Sequence, residues 1–143
     1  MAPRPIQQIL DSSAAWVACR LLITFMFWWE GVGFLTNFGP VAPAINVLGV
    51  HPVWLMPALT VFVLIVGSIL VIFDRYLWLG AGMLATFTIL TIPLVHNFWA
   101  MSGDAAIAAR REAEEHLAVI GALIAVSIIS HSRKRPGVSS EAT

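Results

Sequence analysis

Imidazole and carboxylate side chains recur at a few positions of an otherwise apolar sequence. His96, Glu112 and His116 lie in the second half of the chain, and Glu30 lies in the first half. Glu112 and His116 are four residues apart, so a helix would place both side chains on one face. Such a cluster can bind a metal ion, relay protons or hydrogen-bond the headgroup of a quinone. Each use requires helices that bring these side chains to a similar depth.

Simpler roles compete with this interpretation. A pair of Glu30 with His96 or His116 can have a purely structural role, in which it holds the helices together. His51 is typical of an exposed loop residue. The run of charges over residues 110–115 is typical of a solvated helix face. The histidines form no HxH or HxxxH pair, and the ligands would come from separate segments. No metal site is therefore predicted.

The composition identifies the environment of these groups. The 143 residues are 59% hydrophobic and 11% charged, with eight basic and eight acidic side chains and a net charge of zero. An ordinary soluble domain is roughly 45–50% apolar and about 25% charged. A neutral chain has no basic field for nucleic acid, and the single cysteine excludes an internal disulfide framework. The sequence therefore predicts an integral membrane protein.

Three stretches are apolar over the roughly 20 residues that a helix needs to cross a bilayer. A fourth has a shorter apolar part, residues 117–130, in a helix that is predicted to begin outside the bilayer near Ala105. A very short turn separates the second from the third, so these two helices must be antiparallel neighbours. We expect an all-α, up-down bundle of four transmembrane helices over residues 14–132. The polar N-terminal tail is residues 1–13, the basic and disordered C-terminal tail is residues 133–143, and the spans are residues 14–35, 52–73, 77–101 and 105–131.

Basic residues predict the orientation of this bundle. Arg4, Arg75 and residues 133–135 lie on the side that holds both termini, whereas the other side holds Arg110 and Arg111. Because basic residues accumulate on the cytoplasmic side, both termini are predicted to be cytoplasmic in a bacterial inner membrane.

Other residues within the spans have structural interpretations. Arg20, inside the first span, is either a structural charge or one that faces lipid. Small residues predict close contacts between helices. They include Gly67, Gly80, Gly82 and Gly121. Several tryptophans, among them Trp99, lie near the predicted span ends, as in an aromatic belt.

One segment is more distinctive than the others. Residues 96–104, HNFWAMSGD, resemble the H-x-[YF]-W-x-M-[ST]-G-D signature of the DoxX-like family of small bacterial inner-membrane proteins. Further landmarks are similar to that family in type and order along nearly the whole chain. They are Arg20, Gly31, Gly33, Leu48-Gly49, Pro52, Gly67, Arg75 and residues 117–125.

The sequence also departs from the family pattern. Members often carry a lysine after the first span and a glutamate early in the second, whereas Phe34 and residues 61–63 stand near these places here. Glu30 is an additional acid. A function that depends on that lysine–glutamate pair is not expected in this chain.

The resemblance implies a four-helix membrane scaffold. Some members are subunits of thiosulfate:quinone oxidoreductase, and others are linked to membrane complexes that handle oxidative stress. We therefore expect a membrane subunit or partner in a quinone-linked redox process, more a non-catalytic subunit than an enzyme. The candidate quinone or proton site is His96, Glu30, His116 and Trp99.

Two other interpretations remain open at this point. No redox centre is visible in the sequence, so a redox substrate would require an oxidoreductase partner. The chain is alternatively a non-enzymatic membrane anchor or assembly factor for a soluble partner. A small transporter or channel that works as a homo-oligomer is a third alternative.

Overall fold

The computed structural model describes residues 3–39, 46 and 48–134, and these residues form helices connected by short turns. Helices α2 to α5 are each long and apolar enough to cross a membrane. The predicted all-α membrane bundle is therefore confirmed. The helices are α1 (Arg4–Asp11), α2 (Ser13–Thr36), α3 (Leu55–Ile72), α4 (Leu77–Leu94) and α5 (Gly103–Lys134), with a 3₁₀ turn at Phe98–Ala100.

The observed helix bounds differ from the predicted spans at several ends. Helix α1 occupies most of the segment interpreted as a polar tail. Helix α4 ends seven residues before the predicted limit of 101, one residue after Pro93. Helix α5 continues through Lys134, into the segment predicted as a disordered tail. Residues 135–143 of that tail lie outside the described residues.

Consecutive membrane helices pack side by side in the order α2, α3, α4, α5, and the contact between α2 and α5 is much smaller. A core of aliphatic and aromatic side chains fills the interior. It contains Phe27, Leu64, Val71, Leu77, Leu84, Leu123 and Val126.

Glycines allow α3 and α4 to approach closely. A Cβ atom on Gly80 would lie 2.6 Å from the carbonyl oxygen of Gly67, and one on Gly67 would lie 2.9 Å from Leu84. Both distances are too short for real atoms, so the predicted close contacts at Gly67 and Gly80 are confirmed. The same expectation is wrong for Gly82 and Gly121, where a Cβ atom would meet nothing within 4 Å.

Helix α5 is longer than a bilayer requires. Its 32 residues extend over about 48 Å at 1.5 Å per residue, whereas the hydrocarbon core is about 30 Å thick. The charged first part, residues 103–116, is therefore expected to project from the membrane. It carries the candidate residue His116, together with Glu112, at the end of the bundle opposite the turn between α3 and α4.

Candidate functional site

His96, Glu112 and His116 form one cluster, which we call the His96 cluster. The Nδ1 atom of His96 lies 2.7 Å from a carboxylate oxygen of Glu112. The rings of His96 and His116 pack edge to face, with their centroids 4.7 Å apart. The contact forms because the chain leaves α4 just before His96, while the four-residue spacing on α5 presents the other two side chains together.

The hydrogen bonds determine the proton positions on both imidazoles. The Nδ1 atom of His116 lies 2.7 Å from the carbonyl oxygen of Glu112, which can only accept a hydrogen bond. The Nδ1 atom of His96 faces a carboxylate, which is also an acceptor when ionised. Each Nδ1 atom therefore carries a hydrogen, and neither Nε2 atom has a hydrogen-bond partner among the described residues. Both Nε2 atoms are left to bind or exchange a proton.

The cluster is partly open to its surroundings. The His96 side chain is 15% exposed and that of Glu112 is 54% exposed. A partly buried imidazole held by a carboxylate keeps a fixed orientation, and a third molecule can still reach the pair. Among the residues that the structure describes, no three His, Cys, Asp or Glu side chains converge as metal ligands.

Two predicted site residues do not join this cluster. Glu30 is exposed and forms no hydrogen bond or ion pair with any described residue, so the expected pairing with a histidine is not formed. The buried stripe of α2 explains this, since it passes through Phe27 and Gly31, and Glu30 is rotated by about 100° from Gly31. Trp99 is 60% exposed, and its ring packs edge to face against Phe98.

The first part of the chain matches a known protein family. The DoxX family model matches residues 15–97, which is more than half of the chain. The chain belongs to the DoxX family. The matched range includes Arg20, Glu30 and His96 of the candidate residues, while Glu112 and His116 lie beyond it. No curated protein and no solved structure matches the chain.

The DoxX-family bundle has a second polar cluster at its other end, which was not predicted. We call it the Asp74 cluster. Asp74 lies in the turn between α3 and α4 and accepts hydrogen bonds from Trp16 Nε1 at 3.1 Å, Ser130 Oγ at 2.6 Å and Lys134 Nζ at 2.8 Å. One carboxylate therefore connects the start of α2, the α3–α4 turn and the end of α5.

These contacts determine the protonation of Asp74. Burial by itself would raise the pKa of the carboxyl group. The hydrogen bonds from Lys134, Ser130 and Trp16, together with the charge of Lys134, outweigh burial and lower the pKa of Asp74 below its ordinary value of 3.8. The side chain is thus an anion at neutral pH. In the sequence, the available signals for this cluster are Ser130 inside an apolar span and Asp74 in a turn, but neither indicates which residue it contacts.

Arg20 adjoins the Asp74 cluster inside the DoxX-family bundle. It is only 6% exposed, and its guanidinium group lies over the ring of Trp16 at 5.2 Å. Its Nη1 atom donates to the carbonyl oxygen of Ile72 at 2.6 Å, and its Nε atom donates to that of Trp16 at 3.3 Å. The structure therefore places Arg20 against the end of α3, not in lipid.

Proposed function

We propose that this DoxX-family protein is a membrane subunit or partner in a quinone-linked redox process, and that the His96 cluster binds the quinone headgroup. The observation that carries the proposal is the 2.7 Å contact between His96 and Glu112, with the His116 ring packed beside it. Two imidazoles with free Nε2 atoms provide a place for hydrogen bonding and proton exchange in a membrane bundle.

The residues of the cluster fit this chemistry. A quinone carries two carbonyl oxygens that accept hydrogen bonds, and its reduction to the quinol takes up two electrons and two protons. Burial lowers the pKa of His116 and favours its neutral form, whose bare Nε2 atom accepts a hydrogen bond from a quinol hydroxyl and can take up its proton. Glu112 accepts a hydrogen bond from Nδ1 of His96 and fixes the orientation of the ring, which leaves Nε2 for the quinone. The electrons would come from an oxidoreductase partner.

We further propose a bacterial cytoplasmic membrane as the location, with both termini in the cytoplasm. Arg4, Arg75, Arg133 and Lys134 lie at the end of the bundle that holds Asp74. The charged start of α5 lies at the other end of the bundle, and its arginine and lysine residues are Arg110 and Arg111 alone. Because arginine and lysine accumulate on the cytoplasmic side of a membrane protein, their excess near Asp74 supports a cytoplasmic location for that end of the bundle. A C-terminal reporter that is active only in the periplasm would overturn this orientation.

Quinone binding to the purified protein tests the proposed site. His96→Ala and Glu112→Gln should each weaken binding by about tenfold, because each change removes a charge-assisted hydrogen bond. His51→Ala is the matched control, since His51 is an exposed histidine outside the cluster. Glu30→Gln should also bind as the wild type does, because Glu30 does not contact the cluster. Failure of the folded wild-type protein to bind any quinone would refute the site.

A membrane anchor or assembly factor for a soluble partner is the second candidate function. It is favoured by the exposed charges on the projecting part of α5, where Arg110 and Glu114 form a surface ion pair at 2.9 Å. Co-purification with a soluble oxidoreductase, without any quinone binding, would support the anchor. Loss of that partner after charge reversal at Arg110 and Arg111 would identify the contact surface.

A further inference from the structure

A groove runs between α4 and α5, starting at the Asp74 end of the bundle. Its outer part is a cavity of about 550 Å³ and its inner part is a cavity of about 230 Å³. The two cavities share Trp78, Ser127 and Ile128 in their walls, so they form one continuous groove. The groove is separate from the His96 cluster, and none of the proposed quinone contacts depends on it.

The inner part of the groove is apolar. Ala81, Gly82 and Ala85 of α4 form one wall, and Leu123 and Ile124 of α5 form the other. The small residues on α4 leave room along the helix, and a Cβ atom on Gly82 would meet nothing within 4 Å. This shape and chemistry suit a hydrocarbon chain.

The mouth of the groove adds hydrogen-bond donors and one cation to its apolar walls. Tyr76, His131 and Lys134 line it, and none of its lining residues is acidic. Lys134 uses two of its three ammonium hydrogens on the carbonyl and carboxylate oxygens of Asp74. The third is available, and the Lys134 side chain is 53% exposed. The phenol and imidazole groups provide further donors for an anionic oxygen.

We propose that this groove binds one anionic phospholipid. The phosphate group accepts hydrogen bonds from Lys134, His131 and Tyr76, and an acyl chain lies along Gly82 and Ala85. Charge complementarity selects this occupant, because the Lys134 ammonium keeps one hydrogen free at the mouth of an otherwise apolar groove, and Arg75 and Arg133 add positive charge at the same end of the bundle. With the Asp74 end in the cytoplasm, the lipid would come from the cytoplasmic leaflet, where anionic headgroups are available.

Native mass spectrometry of the delipidated full-length protein in a neutral detergent tests the proposal. Phosphatidylglycerol, phosphatidylcholine and inorganic phosphate are titrated separately. We expect one phosphatidylglycerol molecule to bind about tenfold more tightly than phosphatidylcholine, because only the former has a net negative charge. Equal binding of the two lipids would overturn the charge argument. Retention of phosphate as strong as that of the lipid would show that the groove holds no acyl chain.

Two leucine substitutions separate the groove from general effects on the helices. Gly82→Leu fills the apolar wall and should weaken phosphatidylglycerol binding about tenfold. Gly121→Leu is the matched control, because Gly121 also faces open space on a membrane helix but does not line the groove. If both variants fold by circular dichroism and bind the lipid equally well, the acyl chain does not lie in the groove.

The mouth is tested with His131→Ala, which leaves the Lys134–Asp74 contact in place. Binding of phosphatidylglycerol should fall several-fold, while binding of phosphatidylcholine should change less. Displacement of the lipid by a quinone added in stoichiometric amount would instead assign the groove to the quinone and overturn the proposal. The His96→Ala variant should lose quinone binding but bind phosphatidylglycerol as the wild type does, so the two proposals fail independently.

Discussion

The Nη1 atom of Arg20 donates a hydrogen bond to the carbonyl oxygen of Ile72, the last residue of α3, at a distance of 2.6 Å. The last carbonyl groups of a helix have no partner within the helix and carry a partial negative charge. Arg20 supplies both a donor and a positive charge at that point. A buried arginine in a membrane span is thus explained by the end of a neighbouring helix.

Arg20→Gln should destabilise the bundle by about 2 kcal/mol, because it leaves buried carbonyl groups without a charged donor. Reversible unfolding in mixed detergent micelles measures the change. Arg75→Gln is the control, since Arg75 is exposed in the turn beside Asp74. If both variants lose the same stability, the effect comes from lost basic charge and not from the contact with α3.

The stability of the protein should fall on acidification through the protonation of Asp74. Its pKa is below the ordinary value of 3.8 in the folded protein. A lowered carboxyl pKa contributes stability that is complete above the unfolded value and is lost as the pH falls through the folded value. Wild-type protein should therefore lose this contribution below pH 3.8.

Asp74→Asn isolates that contribution from those of the other carboxyl groups. The variant should be less stable than the wild type at neutral pH, and the difference should shrink steadily below pH 3.8. Thermal unfolding of both proteins across this range measures it. A constant difference at all pH values would show that Asp74 acts through its shape and not through its charge.

The sequence predicts the number of membrane-spanning helices well because a membrane span is defined by length and polarity alone. It predicts far less about which face of a span is buried. In α2, both Arg20 and Glu30 are charged residues in an apolar helix, yet only Arg20 belongs to the buried stripe with Thr24, Phe27 and Gly31. Lipid and protein interior are equally apolar, so no hydrophobic periodicity separates the two faces.

The same limit applies to the candidate sites. The spacing predicts Glu112 and His116 on one face of a single helix, and the topology predicts His96 at a similar depth in the membrane. The Asp74 cluster joins Asp74 to residues 56 to 60 positions away along the chain. Such contacts depend on how the helices are rotated against each other, which no spacing in the sequence specifies.

Gly80→Ala should cost about 1–3 kcal/mol of stability, because the added methyl group would collide with the backbone of α3. The nearest atom is the carbonyl oxygen of Gly67 at 2.6 Å, which cannot move without shifting the helix. Gly82→Ala is the matched control two residues away, where space is open. It should be neutral or stabilising by up to about 1 kcal/mol, since alanine favours helix. Equal effects in both variants would contradict the close packing of α3 and α4.

A double-mutant cycle measures whether His96 and Glu112 interact as the structure shows. With His96→Ala, Glu112→Gln and the double variant, the coupling free energy should be about 1 kcal/mol, because the histidine is largely buried and the contact is short. The Arg110–Glu114 pair is the internal control, since both of its side chains are more than half exposed. Its coupling should be at most about 0.5 kcal/mol, as for exposed pairs one helical turn apart.

Added salt should reduce the control coupling more than the His96–Glu112 coupling, because a partly buried pair is screened less. Coupling of His96 to Glu112 no larger than that of the exposed pair would mean that the carboxylate does not hold the imidazole in place.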